Sequence, residues 1–456
     1  MISRALLYAT CLSAFIFVTE SARADQTNKA PYTIDLATTL QLAGAQNLDV
    51  QIARERLKEA EANHSSALEQ FLPSISPGIG FHRRDGVAQA VPSGVISDAH
   101  FQSYTPGATL AAQITFGDAL YNTLSAKQLV KASDQALQAQ RQDSALAAAQ
   151  AYFDLAKAKA LVDVVTQAIG ISRSYQEQLH IAVESGVAFK GDELRVQTQT
   201  EHYEITLQQA LEQQRVSAAT LAQVLHLDAT VELLPRESEL VPLTLISTNL
   251  ALETLVTQAL KTRPELKQGD SLVAAAKETQ NGAMYGPLIP SLGAQVFGGG
   301  LGGGPDGGHD TFAGEADYTV GLSWKIGPGG LFDRGRIHTS EARLAITRLS
   351  NLKLKDSITA EVVVNLAKMR STAAQIDLAE RNLETANQML RLTRERKQFG
   401  VGAVLEDIES QQAINQAQSD YFTAIAEYNK AQYRLNRAVG SSFGETEAEG
   451  GRASKR

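Results

Sequence analysis

The sequence predicts a mainly α protein with a small β part, in which long coiled-coil helices are joined to pairs of strands. Three observations make that prediction. Hydrophobic spacing of three and four runs far longer than in a globular helix, period-two segments occur in pairs, and an internal repeat presents both patterns twice. Length alone, 456 residues, would give two or three domains. The repeat divides the chain differently.

Thr33, Ile34, Asp35 and Leu36 open an apolar-periodic stretch that breaks at Phe71, Leu72, Pro73 and Ser74. Asn249, Leu250, Ala251 and Leu252 open another, which breaks at Leu288, Ile289, Pro290 and Ser291. Thr33 and Asn249 are read as N-caps, because their side-chain oxygens can accept from first-turn amides. At a spacing of about 216 residues, residues 47–51 answer 263–267, Phe116 answers Phe332, Leu221 answers Leu435 and Leu225 answers Val439. Each copy holds a helix (33–70; 249–285), a strand, a loop, a second strand, a very long helix (118–184; 333–399), a Gly-bearing turn and a final helix (192–227; 406–439). The chain thus divides into a secretory signal at 1–24, a first repeat at 25–227, a linker at 228–248 with Pro235 and Pro242, a second repeat at 249–440, and a polar tail at 441–456 that is expected to be disordered.

The long helices carry narrow seams. Ala158, Leu161, Val165, Ala168, Ser172, Tyr175, Leu179 and Ala182 step by three and four, and Val196, Thr200, Tyr203, Leu207, Ala210, Gln214, Ser217, Leu221 and Val224 answer them. In the second copy Ile376, Ala379, Leu383, Ala386, Leu390 and Thr393 face Ile414, Ala417, Tyr421, Ala424, Tyr428, Ala431, Leu435 and Ala438. Such spacing winds helices left-handed around each other. A compact core helix needs a broader apolar face, so these read as staves of a wall. A helix of about 67 residues is about 100 Å long, well beyond a compact domain's diameter. The two shorter helices of each copy have the combined rise to run beside it.

The strands alternate. Leu110, Ala112, Ile114 and Phe116 interleave with Thr109, Ala111, Gln113 and Thr115, and Tyr318, Val320, Leu322, Trp324 and Ile326 interleave with Thr319, Gly321, Ser323 and Lys325. Ile75, Ile79 and Phe81 alternate with small or polar residues, as do Leu292, Ala294 and Val296. Period two sorts these onto opposite faces. Strands of about ten residues with one apolar face suit an outer-membrane barrel. Two hairpins cannot close one and open edges do not survive in lipid, so closure needs several subunits. Residues 83–100 and 298–311 read as polar or Gly-rich outer loops.

Arg4, the apolar stretch from Ala5 to Val18, and the small-x-small site Ala22-Arg23-Ala24 form the signal, which puts the mature start at Asp25. Cys11 is the only cysteine and lies within it, so disulfides and thiol catalysis are excluded from the mature chain. A formal net charge of −8 argues against nucleic acid as a partner, which needs a basic face. The sequence holds no His-Glu-x-x-His pair and no Gly-x-Ser-x-Gly elbow, so an enzyme is not predicted. The Gly-rich run ending in His309 and Asp310 lacks the Lys-Ser/Thr of a phosphate loop and reads as a flexible outer loop. No cofactor or metal is expected.

The twofold unit, the repeated Pro-Ser breaks and the heptad-flanked Gly turns resemble the TolC-like outer membrane efflux family over about residues 33–440. The resemblance implies a homotrimer, whose strands make a transmembrane β-barrel among outer-membrane lipid and whose helices make a coiled-coil barrel across the periplasm. It implies a duct for a tripartite efflux or type I secretion system, partnered by a periplasmic adaptor protein and an inner-membrane transporter. Carried onto this chain, the adaptor-docking tips are Gly186 and Val187 in the first copy and Gly400, Val401 and Gly402 in the second. The periplasmic aperture would be lined by Glu406 and Glu409, with Asp407 between them on another face. Asp192 matches Glu406, whereas Arg195 stands opposite Glu409. Acids at these places also favour the helix dipole without lining anything. The rival functional reading is a structural periplasmic or cell-surface coiled-coil protein without transport.

Overall fold

The computed structural model describes residues 32–441 except 46, 90–92, 229, 238, 306–310 and 399–403. The signal segment with Cys11 and Asp25, the tip residues Gly400, Val401 and Gly402, the pair His309 and Asp310, and the tail after Ser441 lie outside the described residues. In chain order the elements are β1 (Tyr32–Ile34), α1 (Leu36–Ala45), α2 (Leu48–Glu69), β2 (Ser74–Gln89), β3 (Ile96–Thr115), α3 (Phe116–Glu184), α4 (Lys190–Leu225) and β4 (Leu233–Pro235). The second copy adds α5 (Leu252–Thr262), α6 (Pro264–Tyr285), a short 3-10 turn (Gly286–Leu288), β5 (Ser291–Pro305), β6 (Thr311–Ser323), α7 (Arg334–Gln398) and α8 (Val404–Val439).

The long helices come out at 69 and 65 residues, about 100 Å each. Every seam position named above is buried or half-buried. Narrow stripes suffice because each long helix meets its neighbours along strips: α2 and α4 lie along α3, and α6 and α8 along α7. The upper halves form one layer in the order α2-α3-α6-α7, while α3 and α8 also touch lower down. One hydroxyl pair crosses each hairpin seam near its tip, Ser172 to Thr200 at 2.8 Å and Thr393 to Ser410 at 2.9 Å.

The first helix of each copy is two helices, not the single run expected. In the first copy Asn47 is an internal cap. Its Oδ1 accepts from the Asp49 and Val50 amides at 2.8 and 3.3 Å, and its Nδ2 donates to the Val224 carbonyl at 3.1 Å. In the second copy Pro264 opens α6; proline has no N–H to continue the ladder but suits a first turn. The N-caps also differ. Thr33 belongs to β1, and Asp35 caps α1 by accepting from the Thr38 amide at 2.7 Å. Asn249 stands ahead of α5, whose cap position is Ala251, with no side-chain bond.

The linker is built into the fold. β4 pairs parallel with β1, and Asn429 and Gln432, both wholly buried, hold the following backbone. Asn429 accepts from the Leu243 amide at 2.8 Å and donates to the Val241 carbonyl at 2.9 Å. Gln432 does the same at Ile246, at 2.9 and 3.1 Å. The two largest apolar clusters sit here, at mid-height of the long helices. One gathers Leu255, Leu266, Ile358, Met369, Ile425 and Leu435; the other gathers Ile34, Phe153, Leu155, Leu221, Leu225 and Leu233.

Buried cations join the copies at the same level. Arg437, 3% exposed, donates to Asp143 of α3 at 2.8 Å and to Glu265 of α6 at 2.5 Å. Arg263, within the second copy, shares Glu265 with it at 2.9 Å and reaches Glu361 of α7 at 3.0 Å and the Ala438 carbonyl at 3.0 Å. Lys430 binds Asp154 at 2.8 Å and Glu427 at 2.5 Å. Burial pushes the Glu265 carboxyl up, but Arg437 and Arg263 outweigh it and hold the group below the usual carboxylate range.

Candidate functional site

The strands form one antiparallel sheet in the order β2-β3-β5-β6, so β3 to β5 joins the copies and β2 and β6 are bare edges. The register sorts its side chains. One rung reads Ile75, Leu110, Val296 and Tyr318, and others read Ala112, Ala294, Val320 and Ile114, Leu292, Leu322. Alternate rungs read Ser76, Thr109, Phe297, Asp317 and Gly78, Gly107, Gly299, Glu315. One face is therefore apolar across all four strands and the other mostly small or polar, with Phe297 lying over its glycines. Both faces are largely bare within one chain; Ile79 and Val320 are 82% and 74% exposed.

The strands are longer than expected, with β2 and β3 at 16 and 20 residues. They take in most of the segment 83–100 read as a loop. The glycine run likewise continues β5 as far as Pro305 instead of opening a loop at 298. Its glycines seat rings: Phe312 lies against Gly300, Tyr104 against Gly302, and Phe297 against Gly107 and Gly299. Tyr104 and Phe312 stack at 6.3 Å with planes 12° apart. Aromatic rings laid over cross-strand glycines restore the packing that those glycines lack. At the other end β6 stops at Ser323, so Trp324 and Ile326 lie beyond the strand.

At the far end of the helices, the first-copy tip is a tight reversal. Gly186 takes φ +72°, and the Gly186 and Val187 amides donate back to the Val183 and Ala182 carbonyls at 3.0 and 2.8 Å. This is the Schellman ending, which a residue with a Cβ enters at a cost. Val187 and Phe189 project into solvent, 82% and 74% exposed.

The predicted aperture acids differ in what faces them. Glu406 is paired with Arg396 across the second turn at 3.2 Å, and Asp192 with Arg195 at 3.7 Å. Glu409 is exposed and has no ion-pair partner among the described residues. Asp407 points elsewhere, into a cleft of about 570 Å³ bounded by Tyr175, Gln199, Tyr203, Arg394 and Gln411. Burial first, then the charges of Asp407 and Asp192, push the Tyr175 hydroxyl up to about 12. The acids of the two hairpins therefore act on one space. Gln412 to Gln199 at 2.6 Å and Asn415 to Tyr203 at 3.1 Å tie α8 to α4 beside it. Sequence reasoning took Tyr175 for a seam residue and set Asp407 aside, since neither spacing shows which helix of the other copy comes near.

A sheet with one apolar and one polar face, set on helices about 100 Å long, defines the class: a membrane channel with a long helical extension. The outer membrane efflux protein family matches this chain over residues 39–225 and 255–441. The chain belongs to that family; it is an outer-membrane channel with a periplasmic helical extension, not an enzyme. Nodulation protein T of Rhizobium leguminosarum bv. trifolii is 24% identical over 438 residues, covering 88% of this chain and 84% of that one. Among solved structures, the Campylobacter jejuni CmeC outer membrane channel superposes with a TM-score of 0.75 at 16% identity, covering 92% of this chain and 89% of that one. A membrane protein of Pseudomonas aeruginosa gives 0.76 at 18%, covering 90% and 93%. The outer membrane protein VceC of Vibrio cholerae gives 0.71 at 18%, covering 90% and 96%. These likenesses establish the fold.

Proposed function

We propose that three copies of this chain close into one duct, serving a tripartite efflux or type I secretion system. Four strands from each of three copies make a barrel of twelve, with the apolar face against lipid and the polar face lining the lumen. The observation that carries the reading is the agreement of the two layers. Strands run β2-β3-β5-β6 and helices run α2-α3-α6-α7, so one chain ends at corresponding bare edges in both, β2 over α2 and β6 over α7. A neighbour completes both at once. Exposed apolar residues on the outer helices, Ile52 and Leu68 of α2 and Ile346 and Leu349 of α7, match an edge that a second copy covers.

In this reading the tips at Gly186, Val187, Gly400, Val401 and Gly402 dock on a periplasmic adaptor protein that links the duct to an inner-membrane transporter. Glu406, Glu409 and Asp192 line the periplasmic aperture, where threefold symmetry multiplies each charge around one axis. Reconstitution into a planar bilayer tests the duct: a trimer by mass should conduct ions in discrete steps. A protein that stays monomeric in lipid, or a trimer that conducts nothing, would overturn it.

A further inference from the structure

In the first copy strand passes straight into helix, since β3 ends at Thr115 and α3 begins at Phe116. In the second, β6 ends at Ser323, on the rung of Thr115 and Ser291, yet α7 begins only at Arg334. Phe332 matches Phe116 by spacing but not by surroundings. The extra segment, 324–333, is firmly bonded. The Leu331 amide donates to the Lys325 carbonyl at 2.8 Å, Gly327 to Leu331 at 3.0 Å and Gly330 to Gly327 at 2.9 Å. The Asp333 carboxylate accepts from the Gly329 amide at 2.7 Å and the Arg336 amide at 2.9 Å.

That frame presents apolar side chains instead of burying them. Trp324, Ile326 and Phe332 are 55%, 73% and 82% exposed. Phe332 is held at φ +70°, a left-handed backbone that bulky residues rarely take. Trp324 is fixed in place as its indole N–H donates to the Leu288 carbonyl at 3.2 Å. Trp324 and Ile326 keep the numbering parity of Leu322, so they carry the apolar side of the sheet past its last rung. Lys325 and Arg334 flank them, exposed and without an ion-pair partner among the described residues.

We propose that residues 324–334 are an interfacial foot in the periplasmic leaflet of the outer membrane. Trp324, Ile326 and Phe332 enter the apolar edge of the leaflet, and Lys325 and Arg334 meet glycerophospholipid phosphates. The inference rests on the reading of the sheet's apolar face as lipid-facing, with which the foot is continuous. Indole and phenyl rings beside cationic side chains are the chemistry that settles at headgroup depth. A rigid foot there fixes how deep the barrel sits.

Trp324 is the chain's only tryptophan, so its fluorescence reports on the foot without labelling. The full-length protein is reconstituted into phosphatidylethanolamine and phosphatidylglycerol vesicles carrying lipids brominated near the headgroup or near the chain end. Shallow bromines should quench Trp324 severalfold more than deep ones, and aqueous acrylamide should quench it weakly. A second probe, Val320→Trp in a Trp324→Phe background, reports the sheet face. Deep quenching there, with Trp324 open to acrylamide and untouched by bromine, overturns the foot and leaves the barrel standing. Quenching at neither position overturns both. Phe332→Gly relieves the left-handed strain and removes the ring. It should move Trp324 from bromine towards acrylamide, and unchanged quenching would remove Phe332 from the foot. Retained shallow quenching in a Lys325→Gln, Arg334→Gln double variant would remove the phosphates from it.

Discussion

Single side chains decide two properties of this channel. At mid-height, Glu265 is shared by two buried arginines, and removing its charge leaves Arg437 and Arg263 short of a partner. Glu265→Gln should destabilise the protein by about 3 kcal/mol, as the loss of one member of a buried pair does, read as a lowered melting temperature. The pH dependence follows from the depressed carboxyl. Its stabilisation is present above the unfolded value near 4.5 and is lost as pH falls through the lower folded value, so the gap between variant and wild type should close in acid. At the tips, Glu409 has no ion-pair partner among the described residues, while Glu406 shares its charge with Arg396. Glu409→Gln should therefore lower cation selectivity and trivalent-cation block in single-channel recordings more than Glu406→Gln does. Asp192→Asn should change them least, because Arg195 offsets that charge. Wild-type selectivity and block in all three variants would mean that these acids only favour their helix dipoles. The acids were legible in the sequence as turn-following carboxylates. Of their cations, Arg195 was legible three residues after Asp192, whereas Arg396 was not, because it meets Glu406 only where α7 and α8 come side by side.

Among whole elements, the sheet is tested by its two faces. Tyr318→Arg puts a charge on the apolar face about midway along β6 and should cost about 2–4 kcal/mol per subunit near the midplane, whereas Thr319→Arg points into the lumen and should cost far less. The yield of membrane-extracted trimer checks the difference, and equal loss in both would show that the faces are misassigned. The seams were fully readable, because three-four spacing survives any detail of neighbours. The strands were readable only where side chains alternate. Through the glycines of β5 there is no alternation to see, and the rings that complete it, Phe312 and Tyr104, come from other strands. The breaks at Asn47 and Pro264 were both visible as residues, but the apolar period runs on through each of them. What ends the first helix there is a contact from elsewhere, the Val224 carbonyl held by Asn47.

For the proposed trimer, the joint between the two repeats is a pattern of the joint between subunits. The joint between repeats pairs the second strand of one with the first strand of the next, Thr115 opposite Ser291 and Ile114 opposite Leu292. In the proposed trimer, strand ends aligned as in that joint would set Ser323 opposite Ser74 and Leu322 opposite Ile75, which keeps polar with polar and apolar with apolar. Ser74→Cys with Ser323→Cys should oxidise to a covalent trimer, seen on non-reducing gels, because directly opposed strand residues lie within disulfide reach. Leu322→Cys with Ser74→Cys places the thiols on opposite faces and should leave monomers. Cys11, inside the predicted signal, is the only native cysteine.

A sheet that no chain can close alone also has a genetic reading. In the proposed trimer, a copy that folds its helices but spoils its β6 edge would still be offered to its neighbours and accepted as one of three. When such copies make up half of the chains in a cell, random mixing leaves about one ring in eight without a defect. Edge-strand lesions should therefore be dominant, and lesions that prevent the helices from folding recessive.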